Sequence, residues 1–294
     1  MRQFSLQLDP AVPDICIDAY LQNEDAPAQL RPAVIICPGG SYQHLAAHEG
    51  EPVALQFLAA GWQAFVLRYH VGLSKETMAP NQLLTMGKAV LRLKREAAAW
   101  GLDPDRISIA GFSAGGHLCA LYATCWHHEW LAACLGATPA ALRPQAAVLC
   151  YAPTDLNLLL QLAARIPGAE TEIQLFSQTL SGSAVPDPDF MRQYSPVSWI
   201  DRQTLPSFIW HTAADQVVPA SSAMAMAEGL ARYGVPYELQ VYPYGRHGLG
   251  LAREQEWAED PDWQQYDSAT RTARWVRDAI SFITDLASCS RLHR

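Results

Sequence analysis

The stretch SIAGFSAGGHLCA, Ser108–Ala120, decides how the rest of the chain is read. A short apolar run, RISIA (Arg106–Ala110), enters a glycine turn, and helix-like sequence leaves it. Gly111–Gly115 match G-x-S-x-G with Ser113 at the centre. The pattern alone is common; a strand before it and a helix straight after give it mechanical meaning. Such a turn forces the central residue into strained backbone geometry, and the flanking glycines remove Cβ atoms that would collide there. The side chain then stands clear of the sheet, at the positive end of the following helix. Ser113 reads as a nucleophile; the plainer alternative is a helix N-cap serine.

Working outward, the same rhythm of short apolar strands and helices fills the chain. ICIDAYL (Ile15–Leu21), AVIIC (Ala33–Cys37), WQAFVLRY (Trp62–Tyr69), AAVLCYA (Ala146–Ala152), PSFIWHT (Pro206–Thr212) and YELQVYP (Tyr237–Pro243) read as strands. Helical spacing marks Glu51–Gly61, a long segment Asn81–Gly101, the run after Ser113, Ala220–Gly234 and a closing helix Ser268–Ala287. Alternation of this kind predicts an α/β fold: a mostly parallel sheet covered on both faces. One domain over 1–294 is expected. Thr154–Ile200 is too long for a simple crossover and reads as a helical, cap-like insertion over one edge of the sheet. The plain alternative is a decorated crossover.

A serine hydroxyl attacks only when a base takes its proton. In the strand–turn–helix arrangement the acid and the base follow the serine in that order, each after a later strand. Asp215 follows PSFIWHT and His247 follows YELQVYP, in the glycine-flanked loop YGRHGLG. Asp155, after AVLCYAPT, is the competing acid, its plain reading being an N-cap for the helix behind it. Of the nine histidines, only His247 follows the last strand in a loop after Asp215. His117 lies on the helix past the bend and His211 inside a strand. His127 and His128 sit near the end of the helix that follows the bend, and Asp201 reads as a turn residue. A tetrahedral intermediate also needs donors for its oxyanion. The amide of Ala114, next to the nucleophile, is one candidate. The amides of Gly40 and Ser41, in the loop PGGSY after AVIIC, are the others. A tight turn is the plain reading of that loop.

Together, ICPGGSYQHLAAHEGEPVALQFLAAGWQAFVLRY, DPDRISIAGFSAGGHLCA, SPVSWI, FIWHTAADQVVP and YPYGRHGLGLA resemble the bacterial acetyl esterase and carbohydrate (xylan) acetyl esterase group of the α/β-hydrolase superfamily. Esterases of this kind carry HGGG where this chain has Pro38–Ser41. The resemblance implies the α/β-hydrolase fold, Ser113, Asp215 and His247 as the triad, and Gly40, Ser41 and Ala114 as the oxyanion hole. It implies short acyl groups, acetyl above all, and no cofactor or metal. Tyr42 and Trp210 are aromatic residues near the expected site, able to stack on a sugar ring or to sit in the core. A xylanase label, carried by some members, finds no paired acid and nucleophile carboxylates in the sequence. The competing activity is a serine amidase or peptidase, arylformamidase-like or prolyl-oligopeptidase-like. A non-catalytic binding module would usually have lost the serine, the histidine or the glycines.

Composition sets the outer bounds. The net charge is −8, with no lysine or arginine run beyond RLKRE at Arg92–Glu96, so no basic face is offered to nucleic acid or to an anionic membrane. The charged fraction, 17%, gives a bland surface compatible with a homo-oligomer. Seven scattered cysteines without a C-x-x-C pair suit a reducing compartment better than a disulfide framework or a metal site. The first residues lack an apolar signal core and no run is long enough to span a membrane, so the expected location is cytoplasmic. The expected partner is a small ester, an acetylated sugar among the candidates.

Overall fold

In the computed structural model, residues 1–9, 12, 14–22, 30–163, 169–253 and 271–292 are described. Among these residues eight strands form one sheet in the order β1-β2-β4-β3-β5-β6-β7-β8. They are β1 (Arg2–Gln7), β2 (Cys16–Leu21), β3 (Arg31–Cys37), β4 (Gln63–Arg68), β5 (Leu102–Phe112), β6 (Ala147–Cys150), β7 (Ser207–Thr212) and β8 (Tyr237–Tyr242). β1 and β2 pair antiparallel, and β2 pairs antiparallel with β4. From β4 across to β8 every pairing is parallel. The helices are α1 (Glu51–Ala59), α2 (Asn81–Arg95), α3 (Ala97–Trp100), α4 (Ser113–Cys125), α5 (Glu129–Leu135) and α6 (Pro139–Leu142), followed by α7 (Leu156–Ala163), α8 (Ala169–Ser181), α9 (Pro188–Gln193), α10 (Ser221–Tyr233) and α11 (Trp275–Leu292).

The side-chain alternation of the strands divides the core into two layers. Ala33, Ile35 and Cys37 of β3 join one apolar cluster with α2, α4 and α10. Val34 and Ile36 join the other, with α1 and α11. Both faces of the central strands are therefore apolar, which is why they read as continuous hydrophobic runs. This is the α/β-hydrolase architecture.

Two details differ from the sequence reading. The segment Asn81–Gly101 is two helices. The first ends at Glu96, which Arg92 meets at 3.1 Å, and the second ends at Gly101 in the left-handed region, φ 61°. That turn docks Trp100 against the rings of Phe65 and Phe4. The strand β1 falls in the N-terminal stretch that lacks an apolar signal core. Its RQFSLQ pattern alternates polar and apolar residues, as a half-covered edge strand does. The first residues of the expected closing helix, Ser268–Thr270, lie outside the described residues.

Between β6 and β7 the chain leaves the sheet and returns. Its helices α7, α8 and α9 fall within Thr154–Ile200. The two ends of that insertion meet, with the amide of Val197 donating to the carbonyl of Thr154 at 3.1 Å and the amide of Leu156 donating to the Ser195 hydroxyl at 2.9 Å. No helix among the described residues is long and apolar enough to cross a membrane.

Candidate active site

β5 runs straight into α4, and Ser113 takes the bend between them with φ 49°. A Cβ on Gly115 would lie 2.1 Å from the Cys37 carbonyl oxygen. Only glycine lets the first turn of α4 pass that close to the end of β3. The loop after β7 brings Asp215, and the loop after β8 brings His247. The Ser113 hydroxyl lies 2.8 Å from His247 Nε2, and His247 Nδ1 lies 2.7 Å from Asp215 Oδ2. Three residues far apart in sequence thus form one hydrogen-bonded chain.

The acid is held from three sides. Its Oδ1 accepts from the amides of Val217 at 2.8 Å and Val218 at 2.9 Å. Its Oδ2 faces His247, and also the Nε2 of His211 at 3.2 Å. The Asp215 side chain is wholly buried, whereas His247 keeps an exposed flank. Burial works against the charge, but the hydrogen bonds from His211 and His247 outweigh it and hold the carboxyl well below the usual carboxylate range. A buried anion beside Nδ1 fixes the tautomer that leaves Nε2 free to accept the serine proton. His211, a strand histidine in the sequence pattern, thus belongs to the site. Its position four residues before Asp215, across the strand end, was the available signal. Asp155 stands elsewhere: its Oδ1 accepts from the Asn157 amide at 3.0 Å at the start of α7.

The loop after β3 comes against this chain. Gly40 has φ 120°, and a Cβ there would meet the His44 carbonyl oxygen at 2.3 Å, so the turn admits only glycine. Ser41 follows at φ 54°. Ser41, Ser113 and Ala114 line one cavity of about 40 Å³, together with Pro153, Leu159, Ile173, Phe176, Val217 and Val218. Among the described residues, no hydrogen bond within the protein engages the amides of Gly40 and Ser41. The insertion therefore supplies Leu159, Ile173 and Phe176 to the wall, a contribution the sequence did not single out.

Tyr42 and Trp210 are not sugar platforms. Tyr42 is 1% and Trp210 0% exposed. Trp210 stacks on Trp275 at 5.5 Å and meets Tyr151 edge-on at 5.0 Å. The Tyr42 hydroxyl donates to His117 Nδ1 at 2.8 Å, and His117 Nε2 donates to the Tyr194 carbonyl at 2.8 Å. Both nitrogens of His117 are thus committed in its neutral form, and Phe176 packs on the same ring. Burial pushes His117 down to about 4, against the opposing pull of the Tyr194 carbonyl. An unfolded chain binds a proton here below about pH 6.5 that the native chain refuses until about pH 4. The stability carried by this site is complete above pH 6.5 and is lost as pH falls, by roughly 3 kcal/mol at pH 4. Chemical denaturation at pH 7 and pH 4 checks this: the gap between wild type and His117→Gln should shrink by about that amount. A gap independent of pH would remove His117 from the account.

Among the described residues no group of three His, Cys, Asp or Glu side chains is placed to hold a metal ion.

Residues 17–230 match the family model described as BD-FAE. The chain is similar to the acetyl ester-xyloside bifunctional hydrolase of Caldicellulosiruptor lactoaceticus, at 30% identity and a TM-score of 0.71 over 96% of this chain and 97% of that one. It is 29% identical to endo-1,4-beta-xylanase B of Butyrivibrio fibrisolvens over 81% of its own length and 35% of that protein's. It is 25% identical to the acetylxylan esterase of Xylanibacter ruminicola over 74% of its own length and 41% of that protein's. The chain spans between 35% and 58% of the lengths of the curated relatives it matches. With most of its length inside the family model and a full-length structural match, the chain belongs to the BD-FAE family, within the esterase group of the α/β-hydrolases.

Proposed function

We propose that the protein is a serine carboxylic-ester hydrolase that removes short acyl groups, acetyl above all, from small esters such as acetylated sugars. The observation that carries this reading is the unbroken chain from the Ser113 hydroxyl through His247 to Asp215, at 2.8 and 2.7 Å. Ser113 attacks the acyl carbonyl while His247 Nε2 takes its proton. Asp215 stabilises the imidazolium and keeps the ring in place. The amides of Gly40, Ser41 and Ala114 receive the oxyanion. His247 then returns the proton to the leaving alcohol, and water deacylates the enzyme by the same route.

The acyl preference rests on the cavity beside Ser113. The space between Leu159, Ile173, Phe176 and Val218 is narrow, about 40 Å³, and apolar, which favours an acyl group of few heavy atoms. Among the described residues the cavity lining holds no carboxylate, which supports the ester-cleaving reading over glycoside hydrolysis. Acetylated carbohydrate as the substrate class is supported by the names of the relatives. Within this reading Thr154–Ile200 acts as a cap over the site. The unpaired thiols of Cys37, Cys119, Cys125 and Cys150 support a reducing, cytoplasmic setting.

A panel of p-nitrophenyl esters of graded chain length, beside acetylated xylo-oligosaccharides and a formyl-amide substrate, tests the reading. Acetate should be turned over best and the formyl amide not at all; preference for the amide would move the protein to the amidase class. Phe176→Ala should raise the kcat/KM of p-nitrophenyl butyrate relative to acetate about tenfold, since each buried methylene is worth about 0.8 kcal/mol. An unchanged ratio would take Phe176 out of the acyl wall.

A further inference from the structure

Glu49 is 2% exposed, and neither of its carboxylate oxygens belongs to the triad. Oε2 accepts from the Gly39 amide at 2.7 Å, directly before the oxyanion residues Gly40 and Ser41. Oε1 accepts from the Tyr151 hydroxyl at 2.6 Å. Tyr151 follows β6 at φ 39° and is fully buried. Burial, reinforced by the neighbouring Glu49, pushes its hydroxyl well above its ordinary value, so it remains a proton donor. The same hydroxyl accepts from the amide of Gly250 at 2.8 Å, three residues past His247, and the Tyr151 ring lies edge-on to the His247 imidazole at 5.1 Å. Beside this path His48 Nε2 donates to the Gly248 carbonyl at 3.0 Å. The turn that carries His48 and Glu49 therefore grips both loops that must be in register when the oxyanion forms.

We propose that Glu49 is a positioning residue of the reaction, its buried carboxylate bracing the oxyanion loop at Gly39 against the His247 loop through the hydroxyl of Tyr151. The proposal rests on the esterase reading for its kinetic consequence, though not for the brace itself. An oxygen cannot be exchanged for NH2 here without loss. Glutamine would keep one acceptor and turn a donor toward either the Gly39 amide or a tyrosine hydroxyl that already has its proton to place. Transition-state contacts should suffer more than ground-state ones, because the oxyanion is held only as charge develops.

The test uses Glu49→Gln, Tyr151→Phe and the double variant, read by kinetics on p-nitrophenyl acetate and by hydrogen–deuterium exchange. Each single variant should lower kcat about 10- to 100-fold with KM within about threefold, and the double should fall no further than Glu49→Gln alone. Exchange should quicken over residues 246–252 in Glu49→Gln and over 38–42 in Tyr151→Phe. Tyr151→Phe keeps the ring packed on Trp210 and His247, so it carries the test if Glu49→Gln fails to fold. Wild-type kcat in both folded singles, losses that multiply in the double, or exchange that changes only beside the substituted residue would each overturn the brace. A wild type inert on every ester would sink the esterase reading instead, and exchange alone would then decide the brace.

Discussion

Ser113→Ala should lower kcat on p-nitrophenyl acetate by about four to six orders of magnitude while leaving the melting temperature nearly unchanged. The loss is large because the variant lacks the hydroxyl that lies 2.8 Å from His247 Nε2. What remains is water, activated by the same imidazole and met by the same amides. Stability should hold because alanine carries the same Cβ, so the left-handed bend at φ 49° is no worse for it than for serine. Removing Oγ takes away one hydrogen bond at a partly open site. A fluorophosphonate probe should label the wild type and leave the variant unlabelled. Equal esterase rates for the two proteins would end the nucleophile assignment.

Asp215→Asn should be nearly as damaging, lowering kcat about 10⁴-fold, whereas Asp155→Asn should stay within about twofold of wild type. The contrast follows from what each carboxylate faces. Asparagine at 215 can still accept from Val217 and Val218 through Oδ1. Its NH2 would then point at His247 Nδ1, where Oδ2 now stands at 2.7 Å. That donor pins the imidazole proton on Nε2, the wrong nitrogen for taking a proton from Ser113. Asp155 only accepts the Asn157 amide, a role asparagine keeps. Steady-state kinetics of the two variants at one pH suffice, and the reverse ranking would hand the acid's role to Asp155.

These two experiments concern the part of the site that was legible in the sequence. Ser113, Asp215 and His247 each follow a strand whose apolar run and glycine or proline boundary are local signals, and parallel strands bring their carboxyl ends to one rim. The break at Glu96 was hidden because Asn81–Gly101 keeps helical periodicity across a turn set by docking Trp100. Tyr42 and Trp210 were open between core and surface because an aromatic residue beside a site carries no local mark of burial. His211 was invisible as a partner of Asp215, its value lying in where β7 ends. Glu49 gave less still: its partners are 10 and 102 residues away, and an acidic residue ahead of a helix ordinarily reads as a charge favourable to the helix dipole.

The meeting of Thr154 with Val197 at the base of the insertion has a consequence for how such proteins diversify. The sheet senses only two strand ends held a fixed distance apart, whatever chain hangs between them. Lengthening or exchanging that excursion changes loop-closure entropy slowly, about 0.6 kcal/mol per doubling. The Ser113–His247–Asp215 hydrogen-bonded chain is borne by the ends of β5, β7 and β8, while much of the apolar wall hangs on this closed loop. Acyl and alcohol preferences can therefore drift, or be grafted from a cousin, as a cartridge plugged into an unaltered engine.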